Sequence, residues 1–213
     1  MREFPFPSLT HTPIQLNGEV VEEVNSFTYL GQVLNMNHKT NEEISRRCMA
    51  GWRAFNSIKE FLEKHGNPED RALLFNSTAV PSMLYGSETW SLTKSEEHQL
   101  AVTERAMERR MLKITKLNHV RNEDIRQRTK VVDVVLESIK SKLRWAGHVA
   151  RMKDDRWTKK VNDWYPRKHK RPVGRPPRRW NDLMRARLGP MWRRMAQDRM
   201  KWKAAVDRQI INS

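Results

Sequence analysis

Hydrophobic spacing divides the chain into a short stretch of period two and a long stretch of period 3.6. Ile14-Gln-Leu-Asn17-Gly18-Glu-Val-Val21 sets Asn-Gly between two short apolar runs, the sequence form of a type I′ hairpin. Phe27-Thr-Tyr-Leu30-Gly31-Gln-Val33 follows as one more β-prone run, and nothing later is strand-rich. Three strands are barely a sheet, so this segment is expected to lie against something else.

From Asn41 the period becomes helical. Ile44, Cys48, Trp52, Phe55, Ile58 and Leu62 form one apolar stripe. Gly66 closes that helix, and Asn67-Pro68-Glu69-Asp70 opens the next with Pro at its first position and acids in its first turn. This second helix, Ala72 to Tyr85, is apolar on most sides and should be central, with Pro81 kinking or ending it. Thr93 and Glu96 spell a capping box ahead of the stripe Leu100, Met107, Met111 and Ile114. A short helix near Asn122 to Arg128 leads to a long one with the seam Val132, Leu136, Ile139, Leu143, Ala146 and Ala150. Beyond Asp155 the pattern coarsens. Trp157 to Tyr165 reads as a short helix, Pro166 to Pro177 as an extended basic linker, and Trp180 to Leu188 and Pro190 to Arg208 as helices.

The chain is thereby divided into an irregular arm (1–13), a hairpin and strand (14–36), a helical domain (40–152), a basic Pro-rich linker (153–179) and C-terminal helices (180–213). The expected fold is mainly α. A small N-terminal β-hairpin plus strand packs on a helical bundle, and a loosely packed basic helical tail follows.

Charge changes the picture. Through Lys140 there are 19 Lys and Arg against 19 Asp and Glu; from Ser141 to Ser213 there are 22 against 6. The whole net charge of +16 therefore sits in the last third. Concentrating cations costs self-repulsion, which a polyanionic partner relieves, so RNA and/or DNA is the expected partner.

With 38% hydrophobic residues and eight Trp, the composition is too rich in large apolar side chains for a disordered chain. No run approaches the ~18 apolar residues of a membrane span. The N-terminal residues have no apolar core of a signal peptide, so an intracellular and, given the basic excess, nuclear setting is expected. Cys48 is the single cysteine, which excludes an internal disulfide and any multi-cysteine zinc site. No phosphate-binding glycine loop or nucleophile triad is present, so no cofactor or metal is expected.

Four strings carry a family resemblance: FTYLG (Phe27 to Gly31), PSMLYGSETW (Pro81 to Trp90), LRWAGHVARM (Leu143 to Met152) and GRPPRRWNDLM (Gly174 to Met184). In this order they resemble the C-terminal third of the endonuclease/reverse transcriptases of LINE-type retrotransposons. The resemblance spans roughly Ile14 to Leu188. It implies that the FTYLG strand is a primer grip, that the following helices form a thumb, and that the basic region binds nucleic acid. In that family an Asp and an Asp-Asp pair upstream of FTYLG hold two Mg²⁺ ions. Here residues 1–26 contain no Asp, and the one Asp-Asp pair is Asp154-Asp155 in a basic loop. A piece lacking its own catalytic aspartates is expected, with Mg²⁺ entering only through an upstream palm. An active polymerase subunit, a transposon remnant or a protein-interaction module are the alternatives.

The candidate contacts follow. Phe27, Tyr29, Leu30 and Gly31 are either a primer grip or an ordinary half-buried strand. Lys140, Arg144, His148 and Arg151 fall on one helix face as a ridge free of acids, suited to phosphate contact. Arg175, Arg178 and Arg179 join them in a segment that partly matches an AT-hook and a bipartite nuclear localisation signal. Trp145, Trp157, Trp164 and Trp180 are the candidates to stack on bases or sugars.

Overall fold

The computed structural model describes residues 13–35, 40–153, 156–163 and 178–211, in two compact units, 1–39 and 40–213. The first is a pair of hairpins. Strands β1 (Gln15–Leu16) and β2 (Glu19–Val20) pair antiparallel around Asn17-Gly18, both at positive φ (54° and 87°), as a type I′ turn requires. Strands β3 (Ser26–Tyr29) and β4 (Gln32–Asn35) pair with Tyr29 opposite Gln32.

The sequence suggests one strand through Phe27–Val33. The chain instead folds back at Leu30-Gly31, where φ is 47° and 74°. Glycine enters the left-handed region freely; leucine does not, which hides this turn from propensity rules. Ile14, Leu16, Phe27, Tyr29, Leu30 and Leu34 are all more than half exposed.

In the second unit α1 (Asn41–Lys64) and α2 (Pro68–Leu84) form an antiparallel pair. Ile44, Cys48, Phe55 and Leu62 are buried along the expected stripe. The Asn67 side chain caps α2 by accepting the Glu69 amide at 3.0 Å. The helix runs on through Pro81 for a final turn instead of ending there. Gly51 lets α1 and α2 meet closely, since a Cβ there would lie 2.2 Å from Met83 Cγ. The capping box of Thr93 and Glu96 opens α3 (Lys94–Met111), whose Leu100, Met107 and Met111 complete this first core with Phe75, Met83 and Trp90. The short α4 (Asn122–Thr129) follows.

Helix α5 (Val134–Ala150) begins in the first core with Val134 and continues into a second through Ile139, Leu143 and Ala146. The second core is completed by α7 (Asp182–Leu188), α8 (Trp192–Met195) and α9 (Arg199–Ile211), after the short α6 (Trp157–Asp163). Met184, Trp192, Trp202 and Val206 are each at most 3–4% exposed. The C-terminal helices, expected as a loose tail, are thus seated firmly on α5. One long helix was expected over Pro190–Arg208. The break at Ala196–Asp198 arises because the Asp198 carboxylate accepts the amides of Met200 and Lys201 at 2.9 and 3.0 Å, starting α9 afresh.

The seating depends on Gly147. The Trp202 indole N–H donates to the Leu143 carbonyl at 3.1 Å, and a Cβ on Gly147 would stand 2.2 Å from that indole nitrogen. At an unobstructed helical position alanine replaces glycine with a gain of about 1 kcal/mol. Here Gly147→Ala is expected to reverse the sign and destabilise by about 2–3 kcal/mol through overpacking against a rigid ring. Denaturant unfolding read by tryptophan fluorescence checks this; a stabilised variant contradicts the docking.

A buried charge cluster ties α3, α4 and the start of α5 together. Arg105 pairs with Glu108, Thr129 Oγ1 donates to Glu108 at 2.8 Å, and Arg126 pairs with Asp133. Glu104 is fully buried, and one of its oxygens accepts the Val134 amide at 2.9 Å. Its other oxygen has no hydrogen-bond partner, with Arg105 at 3.6 Å and Arg126 at 3.9 Å. Burial, reinforced by the Asp133 charge, pushes the Glu104 pKa up to about 8. Between the ordinary carboxylate pKa of 4.5 and 8, the folded chain holds a proton that the unfolded chain releases, so this group lowers stability as pH rises. Glu104→Gln keeps an acceptor for Val134 without the charge. Its stability relative to the parent should improve by about 1–3 kcal/mol from pH 5 to pH 8; a difference independent of pH would rule out a neutral Glu104.

Candidate nucleic-acid interface

The ridge on α5 presents Arg144 and His148 to solvent, with Lys140, Trp145 and Arg151 partly buried. It carries an acid, contrary to the sequence expectation. Glu137 lies 3.3 Å from Lys140 Nζ and 3.9 Å from Arg144 Nη1, because residues three and seven positions apart share a helix face. Arg151 points back into the protein. Its Nη1 donates to the Ala196 carbonyl at 2.7 Å, clasping the end of α8. Loss of hydration, and then the Arg199 charge, hold its pKa below the ordinary guanidinium value. The Trp145 and His148 rings lie 5.3 Å apart.

Much of LRWAGHVARM is therefore structural. Leu143, Ala146 and Val149 are core, Gly147 admits Trp202, and Arg151 anchors α8. In PSMLYGSETW, Trp90 is 2% exposed while Tyr85 stays more than half exposed under the Arg47 guanidinium, 4.5 Å from its ring centre. Gly86 supplies the positive φ of 76° that turns the chain after α2 into a 3-10 turn at Ser87–Thr89.

The start of the tail is stapled to the first core. The Trp180 indole donates to the Glu88 carbonyl at 2.6 Å, and Lys142 Nζ lies 5.6 Å from its ring centre. Arg178 donates to the Leu92 carbonyl at 2.9 Å and stands 3.6 Å from Glu97. Arg179 is partly buried, and its backbone amide donates to Asp182 at 2.8 Å. Trp157, in contrast, is 80% exposed, with Lys160 Nζ 5.7 Å from its ring centre. Phe27, Tyr29, Leu30 and Gly31 are exposed on the second hairpin. Arg175, Trp164 and the Asp154-Asp155 pair lie outside the described residues.

Two groups escaped the sequence reading. On α8 and α9, Arg193, Arg194, Arg199, Lys203 and Arg208 are exposed, opposite the buried Trp192, Trp202 and Val206. Their signal was available, since they interleave with the apolar seam and must face water once it packs. Lys142 carried no such signal. It is 6% exposed, donates to the Trp90 carbonyl, and has its pKa pushed down to about 8, by burial first and then by the Arg178 charge, against the pull of Asp182.

Among the described residues no three His, Cys, Asp or Glu group to hold a metal, and no helix is long and apolar enough to cross a membrane. Comparison with known proteins adds an origin. The chain is 36% identical over 206 residues to a Caenorhabditis elegans protein named as an uncharacterized transposon-derived protein, a match covering 91% of this chain and 74% of that one. No family profile matches the chain, and no solved structure does.

Proposed function

The chain belongs to a family of transposon-derived proteins, and from that origin we propose that it binds RNA, DNA or their hybrid through the sugar-phosphate backbone. In this reading it is the thumb and basic C-terminal part of a LINE-type reverse transcriptase. Helices α1–α5 form the thumb, and the hairpin carrying Phe27, Tyr29, Leu30 and Gly31 serves as the grip. The tail helices supply the cationic surface, and a nuclear setting goes with that role. The polymerase chemistry is left to a palm carrying the catalytic aspartates.

One observation carries the reading. Among the described residues, the exposed cations of α7, α8 and α9 lie on the outer sides of helices whose apolar sides are buried in the core shared with α5. Some of those charges are taken up internally. Arg178 faces Glu97, and Lys201 lies 3.6 Å from Asp198. Arg194, Lys203 and Arg208 stay exposed, and the indole of Trp157 offers a stacking surface beside Lys160. Lys140 and Arg144 contribute less than an acid-free ridge would, since Glu137 offsets part of their charge.

Titration of an internally labelled DNA duplex and RNA/DNA hybrid across salt concentrations tests this. Contact with ~6–10 phosphates gives a steep negative slope of log K against log salt. Replacing Arg194, Lys203 and Arg208 together by Glu should weaken binding on every sequence and make the slope shallower by roughly one unit per lost contact. A flat slope, or a triple variant that binds as the parent does, overturns the proposal.

A further inference from the structure

A cavity of about 440 Å³ opens between the 3-10 turn after α2, the start of α3, α5 and α7. Two residues of its lining carry buried donors with nothing to donate to. The Ser87 hydroxyl and the Trp90 indole N–H are buried, in residues 3% and 2% exposed, and neither has a hydrogen-bond partner. Leaving a buried polar group unpaired costs about 1–3 kcal/mol, so two lining one cavity point to a missing acceptor. The Lys142 side chain lines the same space, and its ammonium keeps donors beyond the one given to the Trp90 carbonyl.

The charges around the cavity favour an anion. Lys94, Lys142, Arg178, Arg179 and Arg187 line it against two acids, Glu97 and Asp182. Glu97 faces Lys94 and Arg178 at the rim, and Asp182 accepts the Arg179 amide. The remaining wall is apolar, from Val135, Leu136 and Ile139 of α5 and Leu183 of α7. A cavity of this size holds one small ligand with an apolar body and a charged end.

We infer that this cavity binds a single terminal nucleotide, its phosphate received by Ser87, Trp90 and Lys142 and its base laid against Val135, Leu136, Ile139 and Leu183. The nucleotide is either the phosphorylated end of a strand or a free nucleoside monophosphate. The inference deepens the nucleic-acid reading, adding recognition of an end to the sequence-independent hold of the tail.

The test uses single-stranded oligonucleotides of one sequence, with a 5′-phosphate, a 3′-phosphate or neither, alongside adenosine 5′-monophosphate and inorganic phosphate. One of the phosphorylated ends should bind at least about tenfold more tightly than the unphosphorylated strand, the return expected of hydrogen bonds to a charged group. Adenosine monophosphate should compete for that increment. Ser87→Ala and Lys142→Met should each reduce the increment while leaving the salt slope unchanged. Ser87→Ala removes only an unpaired hydroxyl, and an unaltered melting temperature shows that its fold is intact. Saturable monophosphate binding that is lost in Ser87→Ala, without any preference for phosphorylated ends, identifies the free nucleotide as the ligand, even if the oligonucleotides do not bind at all. Equal affinity for all three strands together with no saturable monophosphate binding overturns the cavity site, whatever the salt slope shows of the surface.

Discussion

Helix α5 has to bury two faces at once, and the rest of the second unit is arranged around that demand. Its first turn closes the core built by α1, α2 and α3; its middle and end carry the core shared with α7, α8 and α9. A helix serving two cores cannot tilt or rotate to suit one without exposing the other. Interiors packed at crystal-like density have little slack to absorb such a shift. Two close approaches fix the position. The Lys142 ammonium reaches the Trp90 carbonyl on one side, and the Trp202 indole reaches the Leu143 carbonyl over Gly147 on the other.

This arrangement gives α7, α8 and α9, the described helices of the basic third, a defined shape. A cationic peptide does not fold on its own charge, which opposes compaction. The apolar faces of α7–α9 supply the opposing contribution, led by Trp192 and Trp202, whose truncation would each cost about 3–5 kcal/mol. Arg151 and Trp180 add bonds across element boundaries. Cations are thereby held outward on a rigid support, a geometry suited to a stiff phosphate backbone and at odds with a flexible tail. The buried acids and arginines of α3, α4 and α5 act differently. They fix the entry of α5 through the Val134 amide at the cost of a carboxyl group, Glu104, that is easier to bury protonated.

The helices were largely legible because their apolar positions repeat cleanly and their ends carry cap residues. The Ile44–Leu62 stripe, the Asn67 cap and the Thr93–Glu96 box stand where local rules place them. The turn at Leu30-Gly31 was not legible, since a leucine at positive φ violates the propensity on which the reading relies. Neither was the break before α9, where one aspartate outweighs a continuous helical pattern. Among the site residues, spacing found which side chains share a face but not which are spent internally. Arg151, Arg178 and Trp180 look as available in sequence as Arg144, and only the fold shows them donating to carbonyls at the end cap of α8 and in the segment after α2. The Ser87–Trp90–Lys142 cavity joins positions up to 55 residues apart, so no local pattern reveals it.

The central claim is that the cationic C-terminal helices are part of the same folded body as α5. Native-state hydrogen exchange of the α9 amides tests it most directly. Amides of Trp202, Ala205 and Val206 should be protected to nearly the same degree as those of Leu143 and Ala146, since both groups open only when the shared core does. Exchange of the α9 amides at rates near those of an isolated helix, with α5 still protected, would contradict the account.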